Sequence, residues 1–152
     1  MLVQDKFGAV GCIAGVATAG IPQGALVAQE LGLPFIYVRS KPKDHGTGNL
    51  IEGDILTGKR VVVIEDLIST GKSSLQAVDA LRDAGYDVAG LAAIFTYGFD
   101  VAEDNFKRAN CPFVTLSNYN ALIKYAGDNQ YIAANDVEVL KQWRENPAGW
   151  GI

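Results

Sequence analysis

The chain is poor in the residues that build metal centres and disulfides: 152 residues include two cysteines, one histidine and one methionine. Cys12 and Cys111 stand far apart, in no metal or redox spacing, and read as reduced core residues. His45 has no second His or Cys nearby, which argues against a metal role for it. No apolar run reaches the roughly 18 residues that a membrane span needs, and Met1-Leu2-Val3-Gln4-Asp5-Lys6 lacks the pattern of a secretory signal. The expectation is a cytoplasmic protein with no membrane partner. An excess of positive charge is also missing. Net charge is −4 and the pI is near 4.9, which excludes general electrostatic attraction to nucleic acid. Repeats, low-complexity tracts and interdomain linkers are absent too, so residues 1–152 read as a single domain.

What is present is an alternation of short apolar runs with helical patterns. Strands are expected at Ala9–Ala14 (ending at Gly15), Pro34–Val38, Arg60–Glu65, Val88–Phe95 and Phe113–Leu116. Helices are expected from Gly20-Ile21-Pro22 to Gly32, from Ser73 to Ala84 and from Val101 to Ala109. Another begins at an Asp136 cap, carries Val139, Leu140 and Trp143, and stops before Pro147. In the second helix Leu75, Val78 and Leu81 form the inner stripe, widened by Ala77 and Ala84, and Gly85 ends it. This order implies an α/β fold: an open, mainly parallel sheet flanked by helices, Rossmann-like in plan. Residues 39–58 break the rhythm. A loop that long in a compact domain is usually functional or disordered, and an active-site lid is both.

The most informative stretch is Val61-Val62-Val63-Ile64-Glu65-Asp66-Leu67-Ile68-Ser69-Thr70-Gly71-Lys72-Ser73. A buried strand delivers two carboxylates to a sheet edge, and a turn of small residues leads into a helix. Amides from Ser69 to Ser73 at a helix start favour an anion. Ser69, Thr70 and Ser73 add hydroxyl donors, and Gly71 lets the backbone approach closely. Glu65 and Asp66 would accept hydrogen bonds from vicinal hydroxyls. A ribose phosphate satisfies both halves. Gly71-Lys72-Ser73 also invites a Walker A reading, but that loop needs a glycine at position 66, where Asp would repel phosphate. The bland alternative makes Asp66 a cap and Glu65 a solvated strand end.

A second cluster, Arg39-Ser40-Lys41-Pro42-Lys43-Asp44-His45-Gly46-Thr47-Gly48, concentrates cations with the single His. Such a run is often only a solvated loop. Beside a phosphate site, cations delivered by a closing loop would bind a departing pyrophosphate better in the transition state than in the ground state, and closure would exclude water. Gly15-Val16-Ala17-Thr18-Ala19-Gly20 is another small-residue turn between strand and helix.

The acidic stretch resembles the phosphoribosyl pyrophosphate (PRPP) motif of the type I phosphoribosyltransferases. Arg-x-x-x-Lys-Asp-His-Gly, from Arg39 to Gly46, looks like the mobile catalytic loop of the orotate phosphoribosyltransferases. The resemblance runs from about Phe7 to Ser117. It implies that Glu65 and Asp66 meet the ribose hydroxyls and that residues from Leu67 and Ile68 through Ser69, Thr70, Gly71, Lys72 and Ser73 surround the 5-phosphate. It also implies that Arg39, Lys43 and His45 contact pyrophosphate catalytically, with Lys43 the most important for rate. Ala17, Thr18, Ala19 and Gly20 become the pyrophosphate loop and Ser69 an orotate contact. Mg²⁺ is implied as cofactor, held largely by the substrate with no dedicated protein ligand set, and PRPP and orotate as substrates. A homodimer that shares the loop between subunits is implied as well.

The chain departs from the family pattern in three places. Ser40 stands where many relatives have Lys, and whether Lys41 substitutes is left open. Only a few residues precede the first expected strand, where the family usually carries an N-terminal hood segment, so the expectation is an N-terminally shortened form, as a start codon placed at an internal Met would produce. Tyr97-Gly98-Phe99-Asp100 carries no cation where some relatives place an Arg for the orotate carboxylate. The function the resemblance implies is transfer of the phosphoribosyl group from PRPP to orotate; the alternatives are transfer to a purine or uracil, or a PRPP-binding regulator or inactive fragment that does not turn PRPP over.

Overall fold

The computed structural model describes residues 2–41 and 50–150. Six strands form one sheet in the order β3-β2-β1-β4-β5-β6. They are β1 (Cys12–Val16), β2 (Phe35–Val38), β3 (Ile51–Glu52), β4 (Arg60–Ile68), β5 (Asp87–Thr96) and β6 (Phe113–Asn118). All run parallel except β3, an edge strand antiparallel to β2. The expected α/β architecture is therefore the one observed. The inner strands are apolar without interruption because helices cover both faces. Val61 and Val63 point into a core with Val78, Leu81 and Phe106, from α3 (Lys72–Asp83) and α4 (Asp100–Arg108). Val62 and Ile64 face Ala28 of α2 (Gly20–Leu31) together with Val3 and Phe7 of α1 (Leu2–Phe7). Both cysteines are buried and unpaired, as expected.

Several boundaries move, each for a physical reason. β1 continues through Gly15 instead of ending there. A Cβ on Gly15 would lie 2.8 Å from the Gly20 carbonyl, so the glycine serves the close approach of α2 and breaks nothing. β4 runs past Glu65 to Ile68, because β5 accompanies it as far as the Leu67–Phe95 and Ile68–Thr96 pairs. In α3, Val78 and Leu81 are fully buried but Leu75 only partly, and Ser74 takes an inner position.

Other elements were not read from the sequence. Within the expected 39–58 loop, Ile51 is buried opposite Val38 in β3. Farther on, the Leu56 amide donates to the Tyr86 hydroxyl (2.8 Å), so the returning limb is built into the fold. α1 sets Val3 and Phe7 at helical spacing against the sheet. A further helix, α5 (Tyr119–Asp128), is capped by the Asn118 side chain accepting from the Ala121 amide. The last helix, α6 (Ala134–Glu145), begins earlier than an Asp136 cap would set it. Asp136 lies in its first turn and its carboxylate accepts from the Ala133 amide at 3.2 Å. Its expected apolar face also turns: Val139 is 44% exposed, whereas Leu140 and Trp143 are partly buried.

Candidate active site

The sheet order reverses between β1 and β4, one chain half winding outward through β2 and the other through β5. Ligands of open parallel sheets bind at such a switch point, beyond the carboxyl ends of the strands. The turn after β1, Ala17–Gly20, and the turn after β4, Ser69–Gly71, lie there side by side. Gly20 makes the closeness possible: a Cβ on it would fall 2.6 Å from the Ile64 carbonyl. Each turn opens a helix that has no side-chain cap, α2 at Ala19 and α3 at Gly71. First-turn amides of an α-helix have no intrahelical acceptor. Two uncapped helix starts on neighbouring strands are thus aimed at one rim, which suits a ligand with two anionic groups.

Inside the first turn the Ala17–Thr18 peptide is cis, and the Ala17 amide is anchored to the Val38 carbonyl at 2.8 Å. Thr18 and Ala19 are exposed. In the second turn Gly71 adopts φ +77°, a left-handed conformation that disfavours any side chain, and a Cβ there would meet Phe106 at 2.6 Å. Thr70, Lys72 and Ser73 are exposed and Ser69 is half-buried. Ile68 contributes only backbone. Its side chain is fully buried, and its carbonyl accepts from the Tyr97 amide and the Thr96 hydroxyl. Leu67 is 38% exposed.

The two acids differ sharply. Alternation along β4 sends Glu65 to the face of Val61 and Val63, under α3, and Asp66 to the other face, toward the start of α2. Glu65 is 4% exposed. One of its oxygens accepts from Ser74 Oγ at 3.0 Å, and the other accepts from the Asp66 amide at 3.2 Å. Burial pushes the Glu65 carboxyl up to about 7; the adjoining Asp66 side chain adds to the rise, and the Ser74 hydrogen bond opposes it. Asp66 is half-buried. A carboxylate offers about four acceptor positions, so the two bonds Glu65 makes leave lone pairs for a ligand diol.

Arg39, at the end of β2, reaches Glu52 of β3 with Nη1 at 3.5 Å from Oε1. A small cleft of about 340 Å³ joins Arg39 and Ser40 to Ala17 of the first turn and Ser73 of α3. Lys43 and His45, the other expected loop contacts, lie outside the described residues. A second, larger cleft of about 930 Å³ opens beside the Ser69–Thr70 turn, walled by Tyr97, Phe99 and Trp143. Among the described residues no group of three or more His, Cys, Asp or Glu side chains gathers as a metal cage.

Sequence reading missed Ser74 and Arg144. Ser74 was detectable, since it precedes Val78 and Leu81 at helical spacing and so shares their inward face. Arg144 had no local signal. It sits in the last turn of α6 yet donates through Nε to the Tyr97 carbonyl at 2.9 Å and through Nη2 to the Gly98 carbonyl.

Comparison with known proteins matches this geometry. Residues 3–128 fit the family model described as the phosphoribosyl transferase domain. The orotate phosphoribosyltransferase of Phocaeicola vulgatus is 60% identical over 149 residues, 98% of this chain and 70% of that protein. A solved orotate phosphoribosyltransferase from Aeropyrum pernix superposes with a TM-score of 0.74 at 31% identity, covering 82% of this chain and 70% of the other. The Mycobacterium tuberculosis orotate phosphoribosyltransferase solved with PRPP is 26% identical with a TM-score of 0.65, over 80% and 69% of the two chains. With its paired turns, its acid pair and these relatives, the chain belongs to the phosphoribosyl transferase domain family, among the orotate phosphoribosyltransferases.

Proposed function

We propose that this chain transfers the 5-phosphoribosyl group of PRPP to orotate, giving orotidine 5′-phosphate and pyrophosphate in pyrimidine biosynthesis. The observation that carries this reading is the pair of uncapped helix starts flanking the Glu65–Asp66 strand end. PRPP has two anionic groups joined by a diol-bearing sugar, and two uncapped helix starts beside an acid pair suit such a ligand. The Ser69–Ser73 turn takes the 5-phosphate and the Ala17–Gly20 turn the diphosphate. Asp66 and the remaining lone pairs of Glu65 accept the ribose hydroxyls. That a PRPP complex exists for a relative of the same fold supports the assignment.

The chemistry is displacement at C1 of the ribose. The bond from C1 to the diphosphate oxygen breaks with its electron pair, a bond from C1 to a ring nitrogen of the base forms, and the sugar passes through an oxocarbenium-like state. The carboxylates beneath the ring stabilise the positive charge that develops there. Arg39, with Lys43 and His45 of the same loop, answers the negative charge growing on the leaving group. A Mg²⁺ ion fits this donor set as a passenger of the diphosphate. It is a hard cation that prefers oxygen ligands and keeps several waters, and Asp66, half-buried near the carboxyl end of β4, would be the carboxylate available to it. When bound it neutralises diphosphate charge. A homodimer sharing the 39–58 loop and a cytoplasmic location, which the two buried unpaired cysteines suit, complete the proposal.

An orotate-depletion assay with PRPP and Mg²⁺, run beside a panel of purine bases and uracil, tests it. Orotidine 5′-phosphate should accumulate with orotate alone. Preference for another base would reassign the substrate. Calorimetric PRPP binding without consumption of any base would make the chain a PRPP-binding protein.

A further inference from the structure

We infer that Arg144 is the base-specificity residue of this site: its guanidinium receives the carboxylate of an anionic heteroaromatic substrate at the Tyr97–Gly98 rim. The inference rests on the proposed function. It goes further by assigning a recognition group from the far end of the chain.

The cleft beside the Ser69–Thr70 turn has the size of small-molecule sites, about 300–1,000 Å³. Its walls are aromatic: Tyr97 and Phe99 stack at 5.4 Å with an interplanar angle of 7°, and Trp143 meets both rings at 5.7 and 6.1 Å. Such walls suit a flat ring. Among the described residues, Arg144 is the only basic side chain lining this cleft or the adjoining one of about 430 Å³ around Thr96 and Asn118. The acids that line them, Asp100, Glu103 and Glu145, are all exposed and therefore screened by solvent.

Arg144 itself is half-buried, and no carboxylate among the described residues pairs with it. A guanidinium has five N–H donors. Two are spent on the Tyr97 and Gly98 carbonyls, which fix its plane, and the rest have no protein acceptor among the described residues. A half-buried guanidinium, oriented by backbone and lacking a counter-ion, is built to accept a carboxylate. Gly98 keeps the contact tight, because a Cβ there would lie 3.1 Å from Arg144 Nη2. The same β5–α4 connection holds the Ile68 carbonyl through the Tyr97 amide, so the arginine is registered to the turn that grips the sugar phosphate.

Orotidine 5′-phosphate and uridine 5′-phosphate differ only in the base carboxylate, so their affinity ratio isolates the contact. In calorimetry, the wild-type chain should bind orotidine 5′-phosphate the more tightly. Arg144→Gln should cut that preference by about 30-fold, and Arg144→Lys should restore part of it. A guanidinium that only latches α6 would weaken both nucleotides alike and keep the ratio, which overturns the inference while leaving phosphoribosyl transfer intact. Failure of the wild type to bind either nucleotide or PRPP would overturn the proposed function, and this inference with it. Should Arg144→Gln not fold, the wild-type complex decides. In a crystal structure with orotidine 5′-phosphate, the base carboxylate within hydrogen-bond distance of Arg144 supports the assignment, and the carboxylate directed elsewhere refutes it.

Discussion

Ser74 donates its hydroxyl proton to Glu65 across 3.0 Å, inside the fold and beneath the turn expected to hold phosphate. This bond ties the first turn of α3 to the acid pair of β4. Movement at either element is therefore felt at the other.

The first consequence concerns protons. The Glu65 carboxyl titrates near 7, and a ribose diol donating to it favours the charged form. PRPP binding should release protons around neutral pH, and affinity should rise as pH climbs through about 7. Calorimetry in buffers of differing ionisation heat measures this directly. Glu65→Gln should lose the part of the release that does not come from PRPP's own phosphates.

Stability should move the opposite way. Folding raises the Glu65 carboxyl from its ordinary 4.5 to about 7, so the native state holds the proton more tightly than the unfolded chain. Its contribution is complete below about 4.5 and is lost as pH rises toward 7, a change of roughly 3 kcal/mol. In the ligand-free protein, Glu65→Gln should raise the denaturation midpoint at pH 8 and have little effect at pH 4. Urea unfolding at the two pH values checks the sign.

Ser74→Ala removes one donor from a buried carboxylate. A loss of about 1–3 kcal/mol is expected, together with a further upward shift of the Glu65 titration, visible in a carboxyl-labelled NMR titration. Unchanged titration would mean that the hydrogen bond is not maintained in solution.

Gly71→Ala forces a side chain into a left-handed residue and against the Phe106 ring. It should destabilise the fold by about 1–3 kcal/mol and weaken PRPP binding, because the amides of the turn are displaced. Thermal unfolding and PRPP calorimetry would report the two effects separately.

Lys43→Ala should depress kcat by about 10²–10³-fold, the cost of removing one donor aimed at transition-state charge. PRPP affinity should suffer far less. Equal losses in both would reject a role confined to the transition state.

The parts of the fold that the sequence displayed are those that local chemistry dictates. Val61–Ile64 could be nothing but a covered strand, and Gly32, at φ +65°, ends α2 where a C-terminal glycine should. The Glu65–Ser73 pattern was visible because strand, acids and turn are contiguous. What escaped depends on contacts between distant segments. β3 is two residues long and exists because Ile51 finds Val38. α1 is short for an independent helix and is held by the burial of Val3 and Phe7. That Glu65 turns under α3 follows only once β4 is known to extend to Ile68. Arg144 lies 46 residues from its Gly98 partner, a separation no window of sequence spans.

The five parallel strands send their outgoing turns to one rim while the helices return the chain behind it. If Arg144 reads the base as inferred, sugar-phosphate grip and base choice reside in separable pieces, the former on the turns after β1 and β4, the latter on the β5–α4 connection and α6 leaning against it. Transplanting α6 and that connection from a relative with another nucleobase preference should retarget the enzyme without rebuilding its hold on PRPP. Diversification within such a scaffold needs changes only at its outer margin.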